Sequence, residues 1–62
     1  MNKPVLTQRE MEIMALCEKG MSAKDMANEL FISKRTVEFH ITNLMRKFRV
    51  GNKMAMVAEY KK

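Results

Sequence analysis

The sequence has little to cross-link or to catalyse with. It holds one cysteine, Cys17, so no disulfide can close within the chain. One cysteine and one histidine, His40, do not make a tetrahedral metal set. There is no glycine-rich phosphate loop, no pair of carboxylates sharing a site and no nucleophile beside a general base. An enzyme is therefore not expected, and no cofactor is implied. No apolar run approaches the ~20 residues of a membrane span, and no signal peptide is visible. β-Branched residues are sparse, and no alternating stretch is bounded by hairpin turns, so strands are not expected either. Internal repeats and low-complexity segments are missing as well.

What is present is enough for one small folded unit. Apolar residues make up 47% of the chain, which argues against disorder. At 62 residues there is room for one domain. A chain of that size buries only about 60% of its unfolded surface, so its stability is marginal.

The net charge of +5 is unevenly placed. Residues 1–33 carry four basic and five acidic side chains, and residues 34–53 carry six basic against Glu38 alone. Two lysines and one glutamate follow in residues 54–62. The excess therefore sits on one stretch. Focused charge of this kind suits a polyanion partner, although a solvated basic face has the same composition.

Helix-start chemistry recurs along the chain. Residues 1–5 read as a flexible arm, with Pro4 disfavouring helix before it. Thr7 is an N-cap with Glu10 three residues on, a capping box, and Leu6 and Met11 form the apolar staple around it. Ser22 repeats the pattern with Asp25, flanked by Met21 and Met26. Ser33 repeats it again, flanked by Ile32 and Val37. Asn52 is placed to cap a last helix. Helices are expected at about 8–19, 23–30, 34–48 and 53–60, within a domain spanning 6–60. Gly20 suits the left-handed position that ends the first, and Gly51 is placed to stop the third. The fold class is all-α, with four helices around one core and several methionines filling gaps. In the last helix Met54, Val57 and Ala58 form one apolar stripe, with Ala55 and Met56 as a second, more exposed one.

The third helix has two distinct faces. Val37, Ile41, Leu44 and Phe48 recur every three or four residues and fall within about 60° of one another, an inward stripe. Arg35, Glu38, Phe39, Thr42, Arg46 and Arg49 project from the other side. Folding requires the first set and not the second.

Helices two and three, joined by about three residues, have the pattern of a DNA-binding helix-turn-helix. Ala27, Ile32 and Val37 occupy its packing positions, while Phe31 stands where a glycine is frequent. A longer pattern is more specific: Leu6-Thr7-Gln8-Arg9-Glu10, then Gly20-Met21-Ser22-Ala23-Lys24-Asp25-Met26-Ala27, then Ile32-Ser33-Lys34-Arg35-Thr36-Val37-Glu38-Phe39-His40, then Asn43, Lys47 and Val50. From Leu6 to about Ala58 the chain resembles the LuxR/GerE family of helix-turn-helix domains. The resemblance implies a four-helix domain that binds double-stranded DNA in bacterial transcription regulation. It further implies a cytoplasmic protein, nucleoid-associated when bound to DNA, that dimerises through its last helix on a pseudo-palindromic target. RNA polymerase is a further partner expected on the same ground. The 62 residues hold the DNA-binding unit by itself, as expected of a small stand-alone regulator or of a domain from a larger one.

Site residues follow as expectations. In the family the positions matching Glu38, Phe39 and Thr42 face base edges, and helix geometry places these three together on the outer face. Glu38 departs from the basic residue frequent there; a carboxylate can accept from cytosine N4. Phe39 suits a thymine methyl, or else a core position in a slightly rotated helix. Phosphate contacts are expected from Lys24, Lys34, Arg35, Thr36, His40, Asn43, Arg46, Lys47 and Arg49, with helix-start N–H groups. A hydrogen-bonded packing role suits His40 equally. Cys17 reads as a small core residue before a redox switch. Met54, Ala55, Val57 and Ala58 offer the dimerisation surface, unless the monomer core absorbs them. A second kind of function stays open: an interaction protein that titrates or caps another regulator of this family through the last helix.

Overall fold

The computed structural model describes residues 4–62; the outer part of the expected arm, residues 1–3, lies outside the described residues. Four helices follow in order: α1 (Gln8–Glu18), α2 (Ala23–Leu30), α3 (Lys34–Phe48) and α4 (Lys53–Lys61). No strand occurs among the described residues.

Each helix starts on a side-chain cap. Thr7 Oγ1 accepts from the Glu10 N–H at 3.1 Å, and the Thr7 N–H donates to Glu10 Oε1 at 2.9 Å, a complete capping box. Ser22 Oγ accepts from the Asp25 N–H at 3.1 Å, but Asp25, one methylene shorter than glutamate, returns no bond. Ser33 Oγ accepts from the Thr36 N–H at 3.0 Å and lies 2.8 Å from the Thr36 hydroxyl. Asn52 Oδ1 accepts from the Ala55 N–H at 2.7 Å. The apolar flanks are less uniform: Met26 and Val37 are fully buried, whereas Met11 remains 44% exposed.

Three helices end by one device. Gly20, Phe31 and Arg49 each turn left-handed, at φ 81°, 58° and 58°. The next residue, Met21, Ile32 or Val50, donates its N–H back to Leu16, Ala27 or Met45 at 3.3, 3.1 and 3.0 Å. That bond satisfies a carbonyl the helix leaves open, and the donor's side chain packs onto the core. The stop of α3 is thus Arg49, not Gly51, whose backbone is not left-handed. Glycine is favoured at such a position but not required, because the 6→1 bond and the core contact of Val50 determine where the chain turns.

The core joins all four helices: Ile13, Met14, Leu16 and Cys17 from α1, Met26 and Ala27 from α2, Val37, Ile41 and Leu44 from α3, and Met56 from α4. Leu16 is a full core member of α1. In α4 the expected stripes are only partly kept: Val57 packs against the core, but Met54 and Ala58 do not. Met56 is fully buried, while Met54 is 84% exposed and Ala58 faces solvent. Tyr60 decides this, since its ring meets Phe48 edge-on with centroids 6.2 Å apart. A residue four before Tyr60 lies on the same helix face, so Met56 turns inward with it.

Candidate nucleic-acid interface

α3 packs against each of the other helices, so its inner stripe is held from several sides. That packing leaves its outer face turned to solvent. Glu38, Phe39 and Thr42 are all exposed along it, Phe39 at 62%. This exposure excludes the core alternative for Phe39. Its ring instead meets His40 edge-on, with centroids 5.8 Å apart and planes 64° apart. His40 is half-buried at the margin of the face. Lys34 Nζ lies 4.0 Å from Glu38 Oε2, a solvent-exposed contact one helical turn apart that contributes little to stability.

Around this row stand Lys34, Arg35, Thr36, Arg46 and Arg49, all exposed, with Asn43 half-buried and Lys24 exposed on α2. The N-terminus of α3 adds backbone N–H groups, two of the first of which are occupied by the Ser33 cap and its own turn. The only acidic side chain on α3 is Glu38, so the face combines strong positive charge with one carboxylate and one apolar ring.

Lys47 behaves differently from the other basic residues of α3. Its Nζ lies 2.6 Å from Glu10 Oε1 and 3.1 Å from the Val5 carbonyl oxygen. The Glu10 side chain is only 6% exposed. Burial pushes the Glu10 pKa up. The Lys47 hydrogen bond, the Thr7 N–H and the Lys47 charge outweigh burial and hold the carboxyl below its ordinary value. The capping role of Glu10 is visible in the sequence. Its pairing with a lysine 37 positions away is not.

Cys17 is a buried core thiol whose sulfur lies 3.9 Å from Met26 Sδ. Burial raises its pKa, opposed only in part by the charge of Lys53. Among the described residues no three His, Cys, Asp or Glu side chains gather to hold a metal, and no helix is long and apolar enough to cross a membrane. On α4, Met54 and Ala58 are exposed and Ala55 and Val57 half-buried. Met54, Val57 and Ala58 border a shallow groove that also takes in Cys17, Gly20, Lys53 and Lys61.

Two helices joined by a tight turn, the second braced on its inner side and basic on its outer side, define a helix-turn-helix DNA-binding domain. Residues 4–59 match the family of bacterial regulatory proteins described as the luxR family, and the chain belongs to that family. It is 43% identical over 58 residues to the spore germination protein GerE of Bacillus subtilis, covering 94% of this chain and 78% of that one. It is also 43% identical over 53 residues to the oxygen regulatory protein NreC of Staphylococcus epidermidis, covering 86% of this chain but 24% of NreC. Among solved structures it superposes on the transcription factor GerE with a TM-score of 0.85 at 38% identity, over 90% of this chain and 84% of that one. On the response regulator ChrA of a heme-sensing two-component system the TM-score is 0.90 at 33% identity, over 98% of this chain and 30% of ChrA. The family consists of DNA-binding transcription regulators, not enzymes, and this chain carries their helix-turn-helix domain.

Proposed function

We propose that the protein binds double-stranded DNA sequence-specifically, as a dimer, with α3 lying in the major groove. The observation that carries this is the outer face of α3. Glu38, Phe39 and Thr42 point outward together, contribute nothing to the core and are ringed by basic side chains. Glu38 accepts from cytosine N4, Phe39 packs on a thymine methyl and Thr42 contacts either a base edge or a methyl. Lys24, Lys34, Arg35, Thr36, His40, Asn43, Arg46 and Arg49 contact phosphates and set the register. Glu38 is released from Lys34 in the complex, which is inexpensive because their contact is long and exposed.

The dimer forms through α4, with Met54, Ala55, Val57 and Ala58 meeting their counterparts in a second copy. Its support is the exposed apolar surface that α4 keeps after Met56 has filled the core. The further partner is RNA polymerase, met by a regulator already docked on DNA in the cytoplasm.

Selection of bound duplexes from a random pool tests the reading, followed by titration at several salt concentrations. The expected result is one enriched, pseudo-palindromic site with affinity falling steeply as salt rises. Failure to enrich any sequence, together with a flat salt response, overturns it. It would favour the second reading, an interaction protein that caps another regulator through the exposed Met54 surface.

A further inference from the structure

We infer that Lys47 is a positioning residue for DNA binding, a tether that ties the last turn of α3 to the first turn of α1, and not a phosphate ligand. This rests on the proposal that α3 is the DNA-reading helix. The ammonium of Lys47 is engaged twice within the protein, by Glu10 Oε1 at 2.6 Å and by the Val5 carbonyl at 3.1 Å. Its side chain is 34% exposed, against 63% for Lys34 on the same helix. Glu10 Oε1 in turn accepts from the Thr7 N–H at 2.9 Å. One oxygen thus joins the α1 cap to α3, and the same lysine fixes the backbone entering α1. Val5 is 88% exposed, so the bond to its carbonyl, rather than packing, holds that residue.

The geometry makes this pair a directional constraint. The core stripe of α3 sets its distance from the other helices, but apolar contacts are non-directional and tolerate small rotations. A short, charge-assisted hydrogen bond at one end of the helix removes that freedom. Glu10 is confined beneath Lys47 and is almost wholly buried, so a phosphate that captured Lys47 would leave the carboxylate without its cation. The carboxylate is the buried member of a partly buried pair, and leaving it without its cation is unfavourable, so Lys47 is retained by the protein.

The test compares Lys47→Met, Glu10→Gln and the double variant with the parent on the selected duplex, across a salt series. Glutamine at position 10 still accepts from the Thr7 N–H, so the cap persists and only the charge is lost. Circular dichroism checks that each variant is folded at the temperature of the titration. Glu10→Gln makes the protein more positive, which by charge alone would tighten binding. The tether demands the opposite: each single variant binds roughly tenfold more weakly, the double no worse than either, as expected of two residues in contact. The salt slope stays that of the parent. A slope for Lys47→Met lower by about 0.9 identifies a phosphate ligand and overturns the inference. Unchanged affinity in folded variants identifies a contact of purely structural value and also overturns it. Should the parent itself bind no duplex, the DNA-reading proposal fails first and the tether with it. Parent binding combined with either overturning pattern removes the tether alone.

Discussion

Phe31 holds at the end of α2 the backbone position that Gly20 holds at the end of α1. Both are left-handed, at φ 58° and 81°, and both precede a residue whose N–H returns to the helix. Glycine adopts this conformation without penalty, whereas a side chain at Cβ meets the carbonyl and costs roughly 1 kcal/mol or more. Phe31 is 93% exposed and recovers none of that by packing. Phe31→Gly should therefore stabilise the protein, by about 0.5–1 kcal/mol once the greater freedom of an unfolded glycine is subtracted. Thermal unfolding checks this, with an expected rise of a few degrees. A fall in the midpoint would mean that Phe31 makes a contact the fold depends on.

Glu10 makes stability depend on acid. Its pKa is lowered in the folded protein, because the bonds and charge supplied by Lys47 and Thr7 exceed the effect of burial. A carboxyl with a depressed folded pKa adds stability above its unfolded value and loses it as pH falls through the folded one. The parent should hold its unfolding midpoint from neutrality down to about pH 5 and then decline. Glu10→Gln should be less stable at neutral pH and decline less on acidification. Parallel pH profiles for the two proteins would contradict the assignment.

Met54 and Met56 should separate folding from association. Met56 is fully buried, so Met56→Ala should cost about 2–4 kcal/mol. Met54 is 84% exposed, and Met54→Ala should change monomer stability by less than about 0.5 kcal/mol. The same Met54 variant should weaken the proposed dimer. Chemical denaturation at low concentration measures the first pair of effects, and sedimentation of the protein–DNA complex measures the last. A Met54→Ala protein that dimerises on DNA like the parent would move the interface away from this part of α4.

Base and phosphate contacts should differ in kind. Glu38→Gln should relax preference at one position of the selected site, by the 1–3 kcal/mol typical of a mismatched base pair, or about 5- to 150-fold. Arg46→Ala should weaken binding to all duplexes alike and lower the salt slope by about 0.9. Neither should disturb folding, since both side chains are exposed. Competition binding with site variants over a salt range distinguishes the two patterns. An Arg46→Ala protein with the parent's slope would withdraw that residue from the phosphate set.

Much of the architecture was legible in one dimension because it is local. A cap needs a hydroxyl or carboxamide three residues before the N–H it serves, and Thr7, Ser22, Ser33 and Asn52 sit at that offset. The inward stripe of Val37, Ile41 and Leu44 follows from helical periodicity and is buried in the fold. Periodicity left a core position open for Phe39, and only its exposure in the fold closed it. In helix four the reading by periodicity ranked Met56 on the more exposed stripe, and the fold buries it, because apolar residues lie on both sides of that helix and the period alone does not say which side meets the core.

The sequence alone determined that the chain makes four helices, and which side of α3 is surplus to folding, because both depend on neighbours three or four positions apart. Tertiary structure alone decided that Met56 rather than Met54 fills the core, since Tyr60 must meet Phe48 on another helix. It alone set Lys47 on Glu10. Both outcomes depend on how one helix is rotated against another, and that rotation is the joint result of contacts between residues far apart in the chain.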